Sequence, residues 1–139
     1  YKAVEAGYRA YYTTAADLVA RTTKAAIEGR WETTMRFWNA PQLLIIDELG
    51  YLPMPAEAAS HLFQVVTRRY EHGSIILTTN RHIADWGQIF ADTTPAIAIL
   101  DRLLHHATVV SINGDSYRMR AHRDAIQALR PAITGGEKP

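Results

Sequence analysis

The sequence predicts an α/β fold with a mostly parallel sheet. Two apolar runs of strand length, residues 43–46 and 74–77, have the composition of strands that are buried on both faces of such a sheet. Helical patterns alternate with the strand-like segments along the chain, as they do where helices connect parallel strands. The chain of 139 residues is long enough for one domain with a substantial core.

The chain opens with a short helical segment and a strand. Residues 1–6 have the pattern of the last turns of a helix, which ends at Gly7. Because the sequence starts at Tyr1 and not at a methionine, we expect the amino-terminal part of a longer protein to be missing. Residues 8–13 are rich in aromatic side chains and predict the first strand.

Two helices are predicted before the first apolar run. Thr14 and Asp17 form a capping-box pattern, with Asp in place of the usual Glu, and open a helix that runs to about residue 28. Gly29 ends this helix. A second helix is indicated by large apolar residues at the spacing of one helical face: Trp31, Met35 and Trp38. We expect this stripe to lie in the core, and a platform for stacking nucleic-acid bases is the alternative.

The same alternation continues to the end of the predicted domain. After a loop with two prolines, a helix begins at Pro55 and ends at Gly73. Arg68 and Arg69 are expected on its surface near the carboxyl end, where the helix dipole favours cations. The later segments predict two helices, a strand and a turn, in the order 83–91, 95–106, 108–112 and 113–115.

The composition excludes several classes of protein. A hydrophobic content of 47% is typical of a globular chain and not of a disordered one. A net charge of +1 provides no general attraction to nucleic acids or membranes. No apolar run approaches the ~18 residues of a membrane-spanning helix, so no membrane partner is expected. The absence of cysteine rules out disulfide and thiolate chemistry, and it fits a cytoplasmic protein.

Two adjacent acids follow the first apolar run, at the end of the strand where parallel sheets bind ligands. A nucleotide triphosphatase needs a carboxylate to hold Mg²⁺ beside the phosphates, and it needs a second group to polarise the attacking water. At a strand tip the alternation of side chains relaxes, so Asp47 and Glu48 can serve these two roles. An acidic pair that merely ends a strand and starts a turn is the structural alternative.

A polar triplet, Thr78-Thr79-Asn80, follows the second apolar run. The amide of Asn80 carries both a donor and an acceptor, so it can hold the attacking water or contact the γ-phosphate. Thr79 is assigned to contact with the nucleotide. Asn80 as the N-cap of the next helix is the alternative. Because one helix separates the triplet from the acidic pair, the two strand tips are expected to meet at one hydrolytic site.

Other polar groups give weaker signals. Arg102 lies in a predicted helix and reads either as a surface partner of Asp101 or as a cation supplied to a neighbouring subunit's γ-phosphate. His105 and His106 are adjacent, so we expect them to point in different directions and not to form a metal pair. A basic group near the end reads as a solvated face or a phosphate-backbone contact: Arg118, Arg120 and Arg123 around His122.

Four segments resemble the IstB group of AAA+ ATPases, which are helper proteins of insertion-sequence transposases and are related to the DnaC helicase loader: LLIIDELGYLP, RRYEHGSIILTTN, DWGQIF and AILDRLLHHATVVSINGDSYRMR. The resemblance covers residues 1–122. It implies a P-loop NTPase three-layer sandwich that binds ATP and Mg²⁺. Residues 123–139 are then expected to form a flexible tail.

The resemblance also implies a role for each site residue. Asp47 and Glu48 match the Walker B acids, which bind Mg²⁺ and activate water. Asn80 matches the sensor 1 amide, and Arg102 matches an arginine finger that acts across a subunit boundary. The implied partners are double-stranded DNA, a transposase and further copies of the chain that assemble through the ATP interface. A DnaC-like loader in DNA replication and a non-hydrolytic interaction module remain as alternatives.

The sequence departs from the family pattern in one respect. The Walker A loop, G-x-x-x-x-G-K-[ST], occurs nowhere in the 139 residues. In the family this loop and the strand that leads into it are expected just before Tyr1, and that strand lies in the sheet between the strands at 74–79 and 108–112. The resemblance therefore implies an incomplete AAA+ core, which we expect to be inactive alone although its parent hydrolyses ATP.

Overall fold

The computed structural model describes residues 1–51, 53–90 and 93–114. The chain divides into two compact units, with the boundary between Ala107 and Thr108. All helices and strands assigned among the described residues belong to the first unit. In chain order they are α1 Lys2–Glu5, β1 Ala10–Thr14, α2 Ala15–Ile27, α3 Trp31–Asn39, β2 Leu43–Leu49, α4 Ala56–Arg69, β3 Ser74–Thr79, a 3-10 helix Ile83–Gln88 and α5 Thr93–His105.

The three strands form a parallel sheet in the order β1-β2-β3. Ala10 pairs with Leu43, which in turn pairs with Ser74, so the three strands start at one level. Their carboxyl ends consequently meet at the same edge of the sheet. The predicted α/β fold with a parallel sheet is confirmed.

The local signals for helix ends are also confirmed. The Thr14 hydroxyl accepts a hydrogen bond of 3.0 Å from the backbone N–H of Asp17 and so caps α2. Gly7 and Gly29 follow α1 and α2 in the left-handed region, with φ of 83° and 67°. Glycine reaches this region without the steric cost that a Cβ would impose, so each glycine ends its helix.

The helices pack over one face of the sheet around an apolar core. Met35 and Trp38 of α3 are 1% and 2% exposed, which confirms that the aromatic stripe belongs to the core. On β2, Leu44 and Ile46 are fully buried and lie on the face that α2 contacts. Val65 of α4 is equally buried. The apolar faces of the helices therefore pack against the apolar face of the sheet.

The expectation that the strands are buried on both faces is wrong for the described residues. Ile45, between two fully buried neighbours, is only half-buried, and Ile76 of β3 is 49% exposed. Burial alternates because the described helices cover one sheet face more completely than the other. β3 is also an edge strand among the described elements, so its side chains have a neighbouring strand on one side only.

Arg69 lies in the interior, contrary to its predicted place on the surface. Its side chain is 1% exposed, and burial lowers the pKa of the guanidinium from its ordinary value. The guanidinium donates hydrogen bonds of 2.8–3.2 Å to the backbone carbonyl oxygens of Trp38, Pro41, Gln42 and Ser74. These carbonyls belong to the end of α3, the segment before β2 and the start of β3. Arg69 therefore ties the starting points of two strands to α4.

The last predicted strand is not formed. Residues 108–112 carry no strand assignment, and Val109, Val110 and Ile112 are 60%, 73% and 90% exposed. A strand requires a hydrogen-bonded neighbour, and the sheet of the described residues consists of β1, β2 and β3. The basic group of Arg118, Arg120, His122 and Arg123, Asp115 of the predicted turn and the tail at 123–139 lie outside the described residues. None of the helices in the described ranges has both the length and the apolar character needed to cross a membrane.

Candidate functional site

Asp47 lies where the carboxyl ends of all three strands meet. It pairs with Thr14 of β1 in the sheet register. The hydroxyl of Tyr12 donates a hydrogen bond of 2.7 Å to Asp47 Oδ2, and the hydroxyl of Thr78 donates to Asp47 Oδ1. Both neighbouring strands thus hold the carboxylate by one oxygen each. This arrangement orients the carboxylate of Asp47.

A β-bulge places Glu48 beside Asp47. Ile46 pairs with Leu77, but the next pair joins Leu49 to Thr79, so β2 carries one extra residue at this point. Glu48 has a φ of 62°, and its backbone N–H donates a hydrogen bond of 3.1 Å to the Thr78 hydroxyl. A left-handed conformation costs a non-glycine residue about 1–3 kcal/mol and is concentrated at functional sites. The bulge is the physical reason that two adjacent acids are both available at one strand end.

Gly50 fixes the chain direction after the acids. Its φ is 85°, and a Cβ at this position would lie 2.6 Å from Ile89 Cδ1. Ile89 also contacts the chain after Gly50, where the N–H of Met54 donates a hydrogen bond of 2.7 Å to the Ile89 carbonyl. Only a glycine combines this backbone angle with so close an approach. The loop after the acidic pair is therefore packed against the end of the 3-10 helix.

An open cavity of about 260 Å³ lies at the tips of β2 and β3. Three predicted site residues line this cavity: Glu48, Thr79 and Asn80. Their neighbours Tyr51 and Thr78 complete the lining. Asn80 is exposed beside the acidic strand tip. A larger open cavity of about 540 Å³, lined by residues of α3, α4 and the turn after α4, contains none of the predicted site residues.

The Thr79 hydroxyl is engaged with the backbone. It donates a hydrogen bond of 2.8 Å to the Leu49 carbonyl and accepts one of 3.1 Å from the N–H of Arg81. These bonds join the tip of β3 to the residue after the bulge and start the turn that carries Asn80. In this structure Thr79 shapes the cavity, and its predicted contact with a nucleotide stays a prediction.

Arg102 lies on α5 and is not grouped with the strand-tip residues. Its guanidinium sits 4.8 Å from the ring centroid of Phe63 on α4, and Nη1 donates a hydrogen bond of 3.3 Å to the Ala98 carbonyl. The side chain is half-buried. Since an arginine finger acts on a neighbouring subunit, the structure of one chain leaves that role a prediction.

The expectation that His105 and His106 diverge is wrong. Their ring centroids are 4.2 Å apart, and both imidazoles lie near Glu71. His105 is the last residue of α5 and His106 follows it in a turn, so the angular separation of adjacent helical residues does not apply to this pair. The tertiary contact with the turn after α4 brings the three side chains together.

Tyr12 is the site residue that sequence reasoning missed. Its hydrogen bond to Asp47 is the main cause of a raised pKa, and burial and the nearby negative charges of Asp47 and Glu48 add to it. The sequence marks Tyr12 only as one of several aromatic residues in a strand. The strand register shows its role: Tyr12 pairs with Ile45, two residues before Asp47, so its hydroxyl can reach the Asp47 carboxylate.

The donor set at the strand tips fits a hard cation. Asp47 and Glu48 provide carboxylate oxygens, and Asn80 provides an amide oxygen. Oxygen ligands of this kind suit Mg²⁺, which usually binds through one or two carboxylates together with water and substrate phosphates. The partly buried carboxylate of Asp47 is the ligand that the surrounding hydrogen bonds orient best.

Comparison with known proteins identifies relatives over most of the chain. The model of the family described as IstB-like ATP binding protein matches residues 1–125. A protein of insertion sequence IS5376 from Geobacillus stearothermophilus, named for ATP binding, is 47% identical over 122 residues, or 88% of this chain and 49% of the relative. Its counterpart from insertion sequence IS21 of Pseudomonas aeruginosa is 48% identical over 124 residues, or 89% and 47%. The chain thus spans about half the length of these relatives.

Solved structures show the fold. The AMPPCP-bound DnaA from Aquifex aeolicus aligns with a TM-score of 0.65 at 19% identity and covers 91% of this chain and 38% of that one. Domain III of DnaA from Thermotoga maritima aligns with a TM-score of 0.61 at 17% identity and covers 97% and 53%. The fold is therefore similar to that of part of DnaA. By the family match and the identity to its relatives, the chain belongs to the family of IstB-like ATP-binding proteins.

Proposed function

We propose that this chain supplies the acidic and amide side of an ATP-hydrolysing site in a transposition helper protein. The observation that carries the proposal is that Glu48 and Asn80 line one cavity at the carboxyl tips of adjacent parallel strands, with Asp47 hydrogen-bonded to Thr78 of the same cavity. The relatives named for ATP binding and the AMPPCP complex of DnaA support a nucleotide as the ligand.

Each strand-tip residue has a distinct role in this proposal. Mg²⁺, when bound, neutralises charge that develops on the phosphates during transfer. Asp47 would hold that ion through water, since Tyr12 and Thr78 fix the direction of its carboxylate. Glu48 would accept a proton from the attacking water, because the bulge turns this exposed acid beside Asp47. Asn80 would orient the same water or contact the γ-phosphate across the cavity.

The phosphates themselves require a further element. A Walker A loop supplies backbone N–H groups and a lysine to the phosphates, and the 139 residues contain no G-x-x-x-x-G-K-[ST] pattern. We therefore expect the 139-residue chain to bind Mg-ATP far more weakly than the micromolar range. Calorimetric titration of this chain with Mg-ATP measures the affinity. Micromolar binding would mean that other residues of the chain contact the phosphates.

The full-length parent is proposed to act on DNA in the cytoplasm. It would assemble on double-stranded DNA as a homo-oligomer, use Arg102 across each subunit boundary and regulate a transposase by ATP hydrolysis. The relatives from insertion sequences favour transposition over the alternative, a DnaC-like helicase loader in replication. A non-hydrolytic interaction module is the second alternative, and a hydrolysis assay on the full-length protein separates it from both.

The test uses two isosteric substitutions in the full-length protein that carries this sequence. Glu48→Gln removes the base and retains the side-chain size, so hydrolysis should fall at least about a hundredfold while Mg-ATP remains bound. Asp47→Asn should also weaken the Mg²⁺-dependent part of binding. Glu57→Gln, an exposed acid in the first turn of α4, is the matched control and should hydrolyse ATP normally. Normal hydrolysis by both strand-tip variants would refute the assignment.

A further inference from the structure

Glu71, His105 and His106 form a polar cluster that is separate from the strand-tip residues. One potential ligand atom from each residue lies within 4.8 Å of the other two. His106 Nε2 is 3.5 Å from Glu71 Oε1. All three side chains are exposed, so a solute can reach them. Two imidazoles and one carboxylate thus converge from the turn after α4 and the end of α5.

Tyr70 holds this cluster in place. Its hydroxyl shares a hydrogen bond of 2.5 Å with Nδ1 of His105. Its ring stacks with the imidazoles of His105 and His106 at centroid distances of 6.0 Å and 6.2 Å and interplanar angles of 27° and 24°. When the hydroxyl accepts the Nδ1 proton, Nε2 of His105 carries the free lone pair. A partner on one ring nitrogen is what selects the ligating tautomer of a histidine at a metal site.

The backbone around the cluster also favours a cation. Glu71 adopts a left-handed conformation with a φ of 61°, which is uncommon for a non-glycine residue. It follows the carboxyl end of α4 by two residues, and His105 is the carboxyl-terminal residue of α5. The carboxyl end of a helix carries a partial negative charge, so two such ends add to the charge of Glu71. The nearby cation Arg68 is engaged in a two-bond pair with Glu32, at 2.8 Å and 3.0 Å.

We propose that Glu71, His105 and His106 bind a divalent transition-metal ion, with Zn²⁺ as the first candidate. Bonds of about 2.0–2.2 Å in a tetrahedral site place neighbouring ligand atoms about 3.3–3.6 Å apart. The pair of His106 and Glu71 already has this spacing. The other separations are at most 4.8 Å, so they must shorten by no more than about 1.5 Å, which rotation of exposed side chains allows. Water would complete the tetrahedron.

The donor set selects the class of ion. Imidazole nitrogen suits Zn²⁺, Co²⁺ and Ni²⁺, whereas Mg²⁺ and Ca²⁺ prefer oxygen ligands. The site is therefore distinct in chemistry from the acidic strand tips. A bound ion would join the turn after α4 to the last turn of α5, the helix that carries Arg102 one turn before His105. Metal binding should accordingly stabilise this helix end and raise the melting temperature of the chain.

The test is calorimetric titration of the chelator-treated 139-residue chain with Zn²⁺ in neutral buffer. The expected result is one ion per chain with a dissociation constant of about 1 μM or lower. His105→Ala, His106→Ala and Glu71→Gln should each weaken binding at least about tenfold. His72→Ala is the matched control, since His72 is exposed and adjacent to Glu71 but is outside the cluster. Its affinity should match that of the unaltered chain, and an excess of Mg²⁺ should leave the affinity for Zn²⁺ unchanged.

Two measurements guard against a loss of fold in the variants. Glu71→Gln retains the side-chain size and both imidazoles, so weakened binding with an unchanged far-ultraviolet circular dichroism spectrum assigns the loss to the ligand. Thermal melting with and without Zn²⁺ should show a larger metal-dependent rise in the unaltered chain and in His72→Ala than in the three cluster variants. The proposal is overturned if the unaltered chain fails to bind Zn²⁺ in the micromolar range, or if Glu71→Gln and His105→Ala bind it as tightly as the unaltered chain does.

Discussion

Replacing Arg69 with methionine should lower the stability of the fold, and by more than replacing the neighbouring Arg68 of the same helix. Methionine retains most of the buried aliphatic volume but removes every hydrogen-bond donor. The carbonyl of Gln42 keeps a second partner, the N–H of Ser74 at 2.9 Å. The carbonyl of Ser74 keeps the ladder bond from β2 that its pairing with Leu43 requires. The carbonyls of Trp38 and Pro41 lose the bond that the guanidinium donates.

The size of the effect follows from those two carbonyls. A buried polar group that loses its partner costs about 1–3 kcal/mol, and the low end applies here because relief of the buried charge offsets part of the loss. The expected loss is about 2 kcal/mol. For a chain of this length each kcal/mol lowers the melting temperature by about 4 °C, so the total shift is about 8 °C.

Thermal melting followed by circular dichroism measures this shift. Arg68→Met is the matched control, because Arg68 is the preceding residue on the same helix and its pair with Glu32 has exposed fractions of 38% and 67%. An exposed pair contributes less than about 1 kcal/mol, so the control should melt within about 4 °C of the unaltered chain. If Arg69→Met melts no lower than Arg68→Met, the four carbonyl bonds do not hold the strand starts and the argument fails.

Three further outcomes are expected. Asp47→Asn should lower the raised pKa of Tyr12 toward its ordinary value, because the amide accepts a weaker hydrogen bond; NMR titration of the tyrosine ring detects this, and an unmoved midpoint would exclude the bond. Gly50→Ala should lower the melting temperature, since its Cβ meets Ile89 at 2.6 Å and its φ is 85°; melting within error of the parent would show that the loop relaxes. In the full-length protein, Arg102→Ala should abolish hydrolysis while nucleotide remains bound, and normal turnover would exclude the finger role.

The strand-tip site shows how far sequence reasoning can go. The apolar runs and the polar residues after them placed Asp47, Glu48 and Asn80 at one sheet edge, and the structure brings Glu48 and Asn80 to one cavity. The roles of these residues in hydrolysis stay predictions. Tyr12 could not be found, because a hydrogen bond between β1 and β2 depends on the register of two strands that lie far apart in the chain.

The sequence by itself determined the features that depend on near neighbours. The cap of α2 by Thr14, the helix ends at Gly7 and Gly29 and the helical stripe of α3 arise within a few residues, where backbone geometry and side-chain spacing decide the outcome.

Only the tertiary structure decided the features that join distant segments. The bulge at Glu48 depends on pairing with β3, the burial of Arg69 depends on carbonyls from three other segments, and the histidine cluster depends on the packing of α5 beside the turn after α4. The missing strand at 108–112 has the same cause, because an apolar segment becomes a strand only when a neighbour takes up its backbone hydrogen bonds. Local sequence patterns determine the secondary structure that a segment favours, and contacts between distant segments determine how that segment packs and pairs.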